Sequence, residues 1–183
     1  MIIDQAADLQ KLPYRRGAGL CLFNKHGHVF IAERRDQPGA WQMPQGGIQK
    51  DEDPMVAALR ELKEEIGTDN AKIIAKIPEL LRYEFPDWLQ KRRIVQGSNN
   101  DLIFKGKYRG QEQIWFALLF LGEDSEIDLS GKFETEKPEF VAWKWASMEE
   151  ALELIVPFKR PVYEKVATAF APLAQNIARG ESF

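Results

Sequence analysis

Three glutamates, Glu61, Glu64 and Glu65, are spaced to lie on one side of a predicted helix. At about 100° per residue they fall within one arc of about 100°, beside the apolar face. Like charges three or four residues apart on a helix repel each other. One interpretation is a solvated helix face in which Arg60 and Lys63 offset the repulsion. The other is a metal site, because hard divalent cations such as Mg²⁺ or Mn²⁺ prefer oxygen ligands. The pattern alone favours the solvated face.

The helix that carries these acids has well-marked ends. Asp53 is suited to cap its N-terminus, Pro54 occupies the favoured first position, and Gly67 follows the last turn. The apolar positions of the helix also share one face, and they are Met55, Ala58, Leu59, Leu62 and Ile66. A helix of this kind would pack on a core and hold its carboxylates rigidly.

The surrounding sequence predicts an α/β (α+β) domain in which a mixed β-sheet lies between helical layers. Strands are predicted at residues 18–23, 29–33, 71–77, 80–85, 113–121 and 140–145, with a short extended piece at 41–43. Two further helices are predicted at about Ser147–Leu154 and Lys159–Ala178. Residues 87–110 are polar and irregular, which is typical of a loop or a protruding hairpin.

Length and composition are those of an ordinary globular protein. The 183 residues are 44% hydrophobic and 29% charged, with a net charge of −3, so we expect a single domain over residues 1–183. No apolar run is long enough to span a membrane and the N-terminus lacks signal-peptide features, so we expect a cytoplasmic protein. Cys21 is predicted to be a buried hydrophobe, and His26 and His28 to be exposed turn residues. The sequence leaves the oligomeric state open.

A longer pattern surrounds the glutamates and changes the balance between the two interpretations. Gly46 is followed after five residues by Glu52, and after seven more by the run from Arg60 to Gly67, with the sequence RELKEEIG. This pattern over residues 46–67 resembles the Nudix box, the loop–helix–loop signature of the Nudix hydrolases. Thr68 is the one departure, because an aliphatic residue is usual there. The resemblance implies the Nudix fold and a metal-dependent hydrolase.

The resemblance also implies roles for the residues of the box. Glu61, Glu64 and Glu65 would hold Mg²⁺ or Mn²⁺, with more than one ion in the site. Glu52 and Arg60 would form an ion pair or hydrogen bonds that brace the loop. The Gly46–Gly47 pair lets the backbone approach a metal or a phosphate closely, and Gly46 could offer its carbonyl as a further ligand.

Similarity extends beyond the box, over a core of about residues 14–170. Segments such as AWQMPQGGI, LRYEFP and GQEQIWFALLF resemble the Nudix branch that contains the bacterial RNA pyrophosphohydrolases and the dinucleoside polyphosphate hydrolases of bacteria and plants. By this match, Glu139 would be a further metal ligand or a base, supplied by a loop opposite the helix. The alternative for Glu139 is an exposed loop acid.

Cationic and aromatic residues outside the box could contact a substrate. By the same resemblance, 5′ phosphates or the first bases of RNA would be met by Arg15, Arg35, Phe158 and Lys159. A basic patch could steer a polyphosphate, or could simply be a solvated loop, and it consists of Lys91, Arg92, Arg93, Lys105, Lys107 and Arg109. Phe158 could stack on a base or anchor the last helix in the core.

The leading functional hypothesis is removal of pyrophosphate from the 5′-triphosphate end of RNA, which leaves a 5′-monophosphate. The second is cleavage of a dinucleoside polyphosphate such as diadenosine tetraphosphate or pentaphosphate. A hypothesis of another class is a nucleotide sensor that binds without cleaving, although a sensor has no need of every metal ligand. The box itself does not distinguish the two substrates, because both contain the polyphosphate that the acids and ions would act on.

Overall fold

The computed structural model describes residues 11–87, 108–133 and 138–181. Within these ranges the strands are β1 (Tyr14–Phe23), β2 (Val29–Arg34), β3 (Trp41–Gln42), β4 (Gln45–Gly47), β5 (Ala71–Lys76), β6 (Leu81–Glu84), β7 (Gly110–Phe120) and β8 (Phe140–Ala146). The helices are α1 (Pro54–Ile66), α2 (Met148–Leu154) and α3 (Arg160–Ala178), with 3₁₀ turns at Asp124–Glu126 and Pro157–Lys159. Every strand and helix predicted within these ranges is present.

The strands form one mixed sheet in the order β3–β2–β1–β7–β5. β1 and β7 pair in parallel, from Tyr14 opposite Gly110 to Phe23 opposite Leu119, whereas the other pairings are antiparallel. β4 pairs with β1, β6 with β7, and β8 with β2. The parallel pair is the long central ladder on which the remaining strands are arranged.

Alternating residues of β1 enter two separate cores, because successive side chains of a strand point to opposite faces. Leu20 and Leu22 pack in one core with the α1 residues Leu62 and Ile66. Cys21 and the next odd residue, Phe23, pack in the other core, whose helical members come from α2 and α3. The predicted arrangement of a sheet between helices is therefore confirmed. Cys21 is fully buried, as predicted, and both histidines are exposed.

The ends of α1 are fixed by the predicted residues. The Asp53 carboxylate accepts hydrogen bonds from the backbone of Met55, at 2.8 Å, and of Val56, at 3.4 Å. Gly67 ends the helix in the left-handed conformation, with φ 84°, and its N–H donates to the Lys63 carbonyl. Only glycine adopts this conformation without steric cost, so the helix cannot extend over residue 67.

Thr68, the departure from the Nudix pattern, is buried and hydrogen-bonded. Its hydroxyl donates to Glu126 at 3.3 Å and accepts from the Asn70 backbone at 3.1 Å. The threonine therefore joins the helix exit to the 3₁₀ turn after β7 by polar contacts, where an aliphatic residue would pack. Among the described residues, none of the helices combines the length and apolar character that crossing a membrane requires.

Candidate active site

Arg60 lies at the centre of the acidic surface of α1. Its guanidinium donates to both carboxylate oxygens of Glu52, at 2.8 and 2.9 Å, and to the Gly47 carbonyl at 2.9 Å. A third nitrogen donates to Glu61 at 2.8 Å and to Glu64 at 3.0 Å. The ion pair between Arg60 and Glu52 is thus present. Arg60 also offsets the repulsion between two of the helix acids.

The two acids on either side of Arg60 have different electrostatic environments. Hydrogen bonds from Arg60 lower the pKa of Glu52, even though partial burial acts in the opposite direction. Burial raises the pKa of Glu61, and this effect outweighs the contacts with Arg60. The Glu52 carboxylate is therefore well satisfied as an anion, whereas Glu61 would gain from an additional cation.

Glu65, the third helix acid, points into the protein and is 6% exposed. One carboxylate oxygen accepts a hydrogen bond from the Gln45 backbone at 3.1 Å. Burial is the main cause that raises the pKa of Glu65 well above its usual range, and the nearby Glu139 and Glu61 carboxylates raise it further. The carboxylates of Glu61 and Glu139, which come from distant parts of the sequence, therefore both lie close enough to Glu65 to affect its pKa.

The Gly46–Gly47 pair brings the backbone of β4 against this cluster. A Cβ atom at Gly46 would overlap the Glu61 carboxylate, and one at Gly47 would overlap the Arg15 guanidinium. Any side chain at either position would force these charged groups away. The absence of a side chain at these two positions leaves the Gly46 backbone beside Glu61 and the Gly47 backbone beside Arg15.

Glu139 lies directly before β8 and is held by side chains of β2 and β3. Its carboxylate accepts from the Arg34 guanidinium at 2.5 Å and from the Gln42 amide at 3.3 Å. Its backbone carbonyl accepts from the Arg35 N–H at 2.8 Å. The structure thus brings Glu139 to the helix acids, and Arg34, which sequence analysis did not select, is its main partner.

The comparisons with known proteins agree with this arrangement. A family model described as the NUDIX domain matches residues 13–166. The chain belongs to the Nudix family. It is 47% identical over 163 residues to an RNA pyrophosphohydrolase of Rhodospirillum rubrum. This match covers 89% of this chain and 90% of the relative. It is 48% identical over 159 residues to the chloroplastic Nudix hydrolase 26 of Arabidopsis thaliana, over 86% of this chain and 69% of the relative.

A solved structure supports the same fold. The dihydroneopterin triphosphate pyrophosphohydrolase of E. coli superimposes with a TM-score of 0.59 and 22% identity. The match covers 84% of this chain and 96% of that protein. At this level of identity the comparison speaks for the Nudix fold alone.

The donor set of this Nudix site fits hard divalent cations. All the candidate ligands are oxygens: the Gly46 carbonyl and the carboxylates of Glu61, Glu64, Glu65 and Glu139. As they stand, no group of three His, Cys, Asp or Glu side chains within the described residues is arranged to hold an ion. Arg60 pairs with Glu61 and Glu64, and Arg34 pairs with Glu139. The raised pKa values of the buried acids show that more positive charge would be favourable there.

Cationic and aromatic side chains adjoin the acidic cluster. Lys159 is only 5% exposed, and its ammonium donates to Gln42 at 2.8 Å and lies 5.5 Å from the centre of the Tyr83 ring. Burial, and then the nearby Arg34, lower the pKa of Lys159 to about 7. Phe158 is partly buried and its ring centre is 5.7 Å from that of Tyr83. Phe158 therefore touches the core and also presents a partly exposed ring.

The remaining predicted substrate contacts fall into two groups. Arg15 lies beside Gly47 and close enough to Glu61 to lower the pKa of that acid. Arg35 instead donates to the backbone carbonyls of Pro138, at 2.8 Å, and Phe140, at 3.3 Å. Within the basic patch, Arg109 packs on the Tyr14 ring and pairs with Glu84. The other members lie outside the described residues: Lys91, Arg92, Arg93, Lys105 and Lys107.

A buried chain of amides beneath the site was not selected from the sequence. The Trp115 indole donates to Gln113 at 3.1 Å, and Gln113 donates to Gln45 at 3.2 Å. Gln113 is fully buried in the central strand, where a polar residue needs hydrogen-bond partners. The polar residue Gln113 inside the apolar run of β7 was the one signal in the sequence that could have indicated this chain of hydrogen bonds. Its partner Gln45 could not be predicted, because it depends on how the strands pair.

Proposed function

We propose that this Nudix protein removes pyrophosphate from the 5′-triphosphate end of RNA and leaves a 5′-monophosphate. The observation that carries the choice of RNA is the 47% identity, over nearly the whole of both chains, to a protein named RNA pyrophosphohydrolase. The carboxylate cluster supports hydrolysis of a phosphoanhydride bond, because it gathers oxygen ligands for Mg²⁺ or Mn²⁺. More than one ion is expected, given the number of acids.

The ions would be held by the Gly46 carbonyl and by the carboxylates of Glu61, Glu64, Glu65 and Glu139. When bound, divalent cations lower the pKa of an attacking water and neutralise charge on the leaving phosphates. Arg60 braces the loop through Glu52 and maintains the spacing between β4 and α1. The protein would therefore contribute a frame of oxygen ligands between β4, α1 and the start of β8.

The substrate would lie over the cationic side of the cluster. Arg15 and Lys159 would contact the 5′ phosphates, and the partly buried Phe158 would stack on a base. Arg35 would contact RNA only by leaving the carbonyls of Pro138 and Phe140. We therefore assign Arg35 first to the support of the Glu139 segment and second to the substrate.

A competition assay tests the choice of substrate. The enzyme with Mg²⁺ receives 5′-triphosphorylated RNA and diadenosine tetraphosphate together, and we expect a higher kcat/KM for RNA. Replacement of Lys91, Arg92 and Arg93 by glutamine should lower kcat/KM for RNA by about tenfold or more, because RNA presents more phosphates to the patch than a dinucleotide does. The loss for diadenosine tetraphosphate should be several times smaller.

A control variant separates the patch from net charge. Replacing Lys25, Lys165 and Arg179 by glutamine removes the same number of positive charges from exposed positions. This variant should keep the preference for RNA. A wild-type preference for diadenosine tetraphosphate would assign the protein to dinucleoside polyphosphate hydrolysis. Nucleotide binding without turnover of either substrate would identify a sensor.

A further inference from the structure

Asp36, which lies outside the acidic cluster, accepts two hydrogen bonds from the Arg34 guanidinium. Nε and one terminal nitrogen of Arg34 donate to the two carboxylate oxygens of Asp36, both at 2.8 Å. Two parallel hydrogen bonds between a guanidinium and a carboxylate fix the plane of the guanidinium as well as its position. Asp36 is therefore placed to determine the direction of the remaining nitrogen.

That remaining nitrogen is directed at the candidate active site. It donates to the Glu139 carboxylate at 2.5 Å, and Gln42 lies 3.4 Å from it. The Arg34 side chain is 25% exposed and that of Glu139 33%, so solvent screens this contact only in part. One guanidinium thus joins an acid at the surface to a candidate metal-binding acid.

The two partners of Arg34 differ in their surroundings. The Asp36 side chain is 68% exposed. Although partial burial acts in the opposite direction, hydrogen bonds from Arg34 lower the pKa of Asp36. Asp36 is thus an anion at neutral pH that stands outside the carboxylate cluster. It can hold Arg34 without itself competing for an ion.

Arg34 needs such an anchor because of the charges around it. It lies near Glu65 as well as Glu139, and near the cationic Lys159. A long, flexible arginine with several anions in reach has more than one favourable orientation. With two of its nitrogens engaged by Asp36, Arg34 can meet Glu139 through one nitrogen and in one geometry.

We propose that Asp36 is a positioning residue for hydrolysis, which acts through Arg34 to hold the Glu139 carboxylate beside the helix acids. This inference rests on the proposed function to the extent that Glu139 takes part in cleavage. Asp36 itself touches neither the substrate nor the ions. Its effect should therefore appear in turnover and depend on the presence of Glu139.

A double-mutant cycle tests this dependence. Asp36→Asn keeps the size of the side chain but places an amide donor opposite an Arg34 donor. We expect Asp36→Asn to lower kcat about tenfold with KM changed less than about twofold, because small displacements of catalytic groups cost this much. In the Glu139→Gln background the same substitution should change kcat by less than about twofold. An equal loss of kcat in both backgrounds would overturn the proposal.

A spectroscopic measurement follows Arg34 without substrate or metal. In the metal-free protein, the Nε–H resonance of Arg34 should exchange slowly with water, and Asp36→Asn should remove this protection. The control is Glu181→Gln, since Glu181 also pairs with an arginine two residues away, Arg179, at 3.1 Å. It should leave both kcat and the Arg34 resonance unchanged. Unaltered protection of Arg34 in Asp36→Asn would also overturn the proposal.

A failure of the Asp36 proposal can be distinguished from a failure of the proposed function. If the wild-type enzyme cleaves diadenosine tetraphosphate and not triphosphorylated RNA, the proposed substrate is wrong. The cycle measured on the dinucleotide then still decides the role of Asp36. If RNA is cleaved and Asp36→Asn has wild-type kcat, the proposed function stands and the role of Asp36 is wrong.

Discussion

The site contains two arginine-centred clusters, and they are assembled in different ways. The Arg60 cluster takes all its carboxylates from the box, at Glu52, Glu61 and Glu64. The Arg34 cluster takes its partners from separate parts of the chain, and they are Asp36, Gln42 and Glu139. The first is built by one helix and its loop, whereas the second exists only because β2, β3 and the start of β8 come together.

The two clusters also differ in their balance of positive and negative charge. In the Arg60 cluster three carboxylates surround one cation, so the cluster has carboxylate oxygens to spare for a metal ion. Around Arg34 a second cation, Lys159, shares Gln42 as a hydrogen-bond partner. We infer that the Arg60 half holds metal ions, and that the Arg34 half positions Glu139 and faces the phosphates.

The largest expected effect comes from the helix acids. Glu61→Gln or Glu65→Gln removes a charged ligand while keeping the shape of the side chain, so kcat/KM should fall by about a hundredfold or more on any substrate the enzyme cleaves. Steady-state kinetics with Mg²⁺ measures this loss, which should exceed that of Asp36→Asn. Glu153→Gln, an exposed acid of α2, is the control. Near-wild-type activity in Glu65→Gln would remove it from the metal site.

An intermediate effect is expected on stability when Arg60 is removed. Arg60→Ala leaves the repulsion between Glu61 and Glu64 uncompensated, so the metal-free protein should lose about 2 kcal/mol in the free energy of unfolding. Urea denaturation measures the loss. Arg160→Ala, which breaks an exposed pair with Glu164, should cost less than about 0.5 kcal/mol.

The response of Tm to added Mg²⁺ tests whether the Arg60 cluster holds the metal ions. Because an ion would replace the lost positive charge, Mg²⁺ at millimolar concentration should raise the Tm of Arg60→Ala more than that of the wild type. The double variant Glu64→Gln, Glu65→Gln should show no response to Mg²⁺. An equal Mg²⁺ response in all three proteins would contradict a metal site on α1.

The smallest expected effect is the pH dependence caused by Lys159. Burial lowers its pKa in the folded protein from 10.5 to about 7. Between pH 7 and 10.5 the unfolded chain therefore binds a proton that the folded chain does not, and the contribution of this group to stability rises with pH. Below pH 7 the folded protein carries the full cost of the buried charge. Lys159→Met should therefore be more stable than the wild type at pH 6, and the gap should shrink steadily as the pH rises above 7.

Urea denaturation of the metal-free proteins from pH 6 to pH 9 measures this gap. Lys165→Met, at an exposed position of α3, is the control and should show no such trend relative to the wild type. A gap between wild type and Lys159→Met that is constant with pH would mean that Lys159 stays charged throughout.

Local signals predicted the elements well where the sequence itself defined their ends. α1 begins at Pro54 and ends at Ile66 because Asp53 and Gly67 fix both ends, as expected. β4 was not predicted, because Gly46 and Gly47 have no strand preference and the strand forms only by pairing with β1. The strand predicted from Ala18 begins at Tyr14, since the parallel partner β7 extends the ladder to that residue.

In the site, too, contacts within one short segment were predicted and contacts that depend on strand pairing were not. The Arg60–Glu52 pair was expected from the resemblance to the Nudix box, and both residues belong to that one loop and helix. Arg35 was expected to meet the 5′ phosphates or first bases of RNA, and the contact between its neighbour Arg34 and Glu139 was not predicted; Arg34 follows a register shift after Glu33 in the pairing of β2 with β8. The orientation of adjacent residues at a bulge depends on the partner strand, which a single sequence does not specify.

The sequence by itself determined the Nudix box, the helix that carries its acids and the succession of strands, because these depend on neighbours within a few turns of the chain. The tertiary structure decided which distant groups meet those acids. Antiparallel pairing of β2 with β8 brings Arg34 beside Glu139, which lies close to Glu65 of α1. Lys159, in the turn before α3, donates to the same Gln42 side chain as Arg34. Arg34, more than a hundred residues from Lys159 in sequence, thereby adds to burial in lowering the pKa of Lys159, since Coulomb interactions depend on distance in space and on burial.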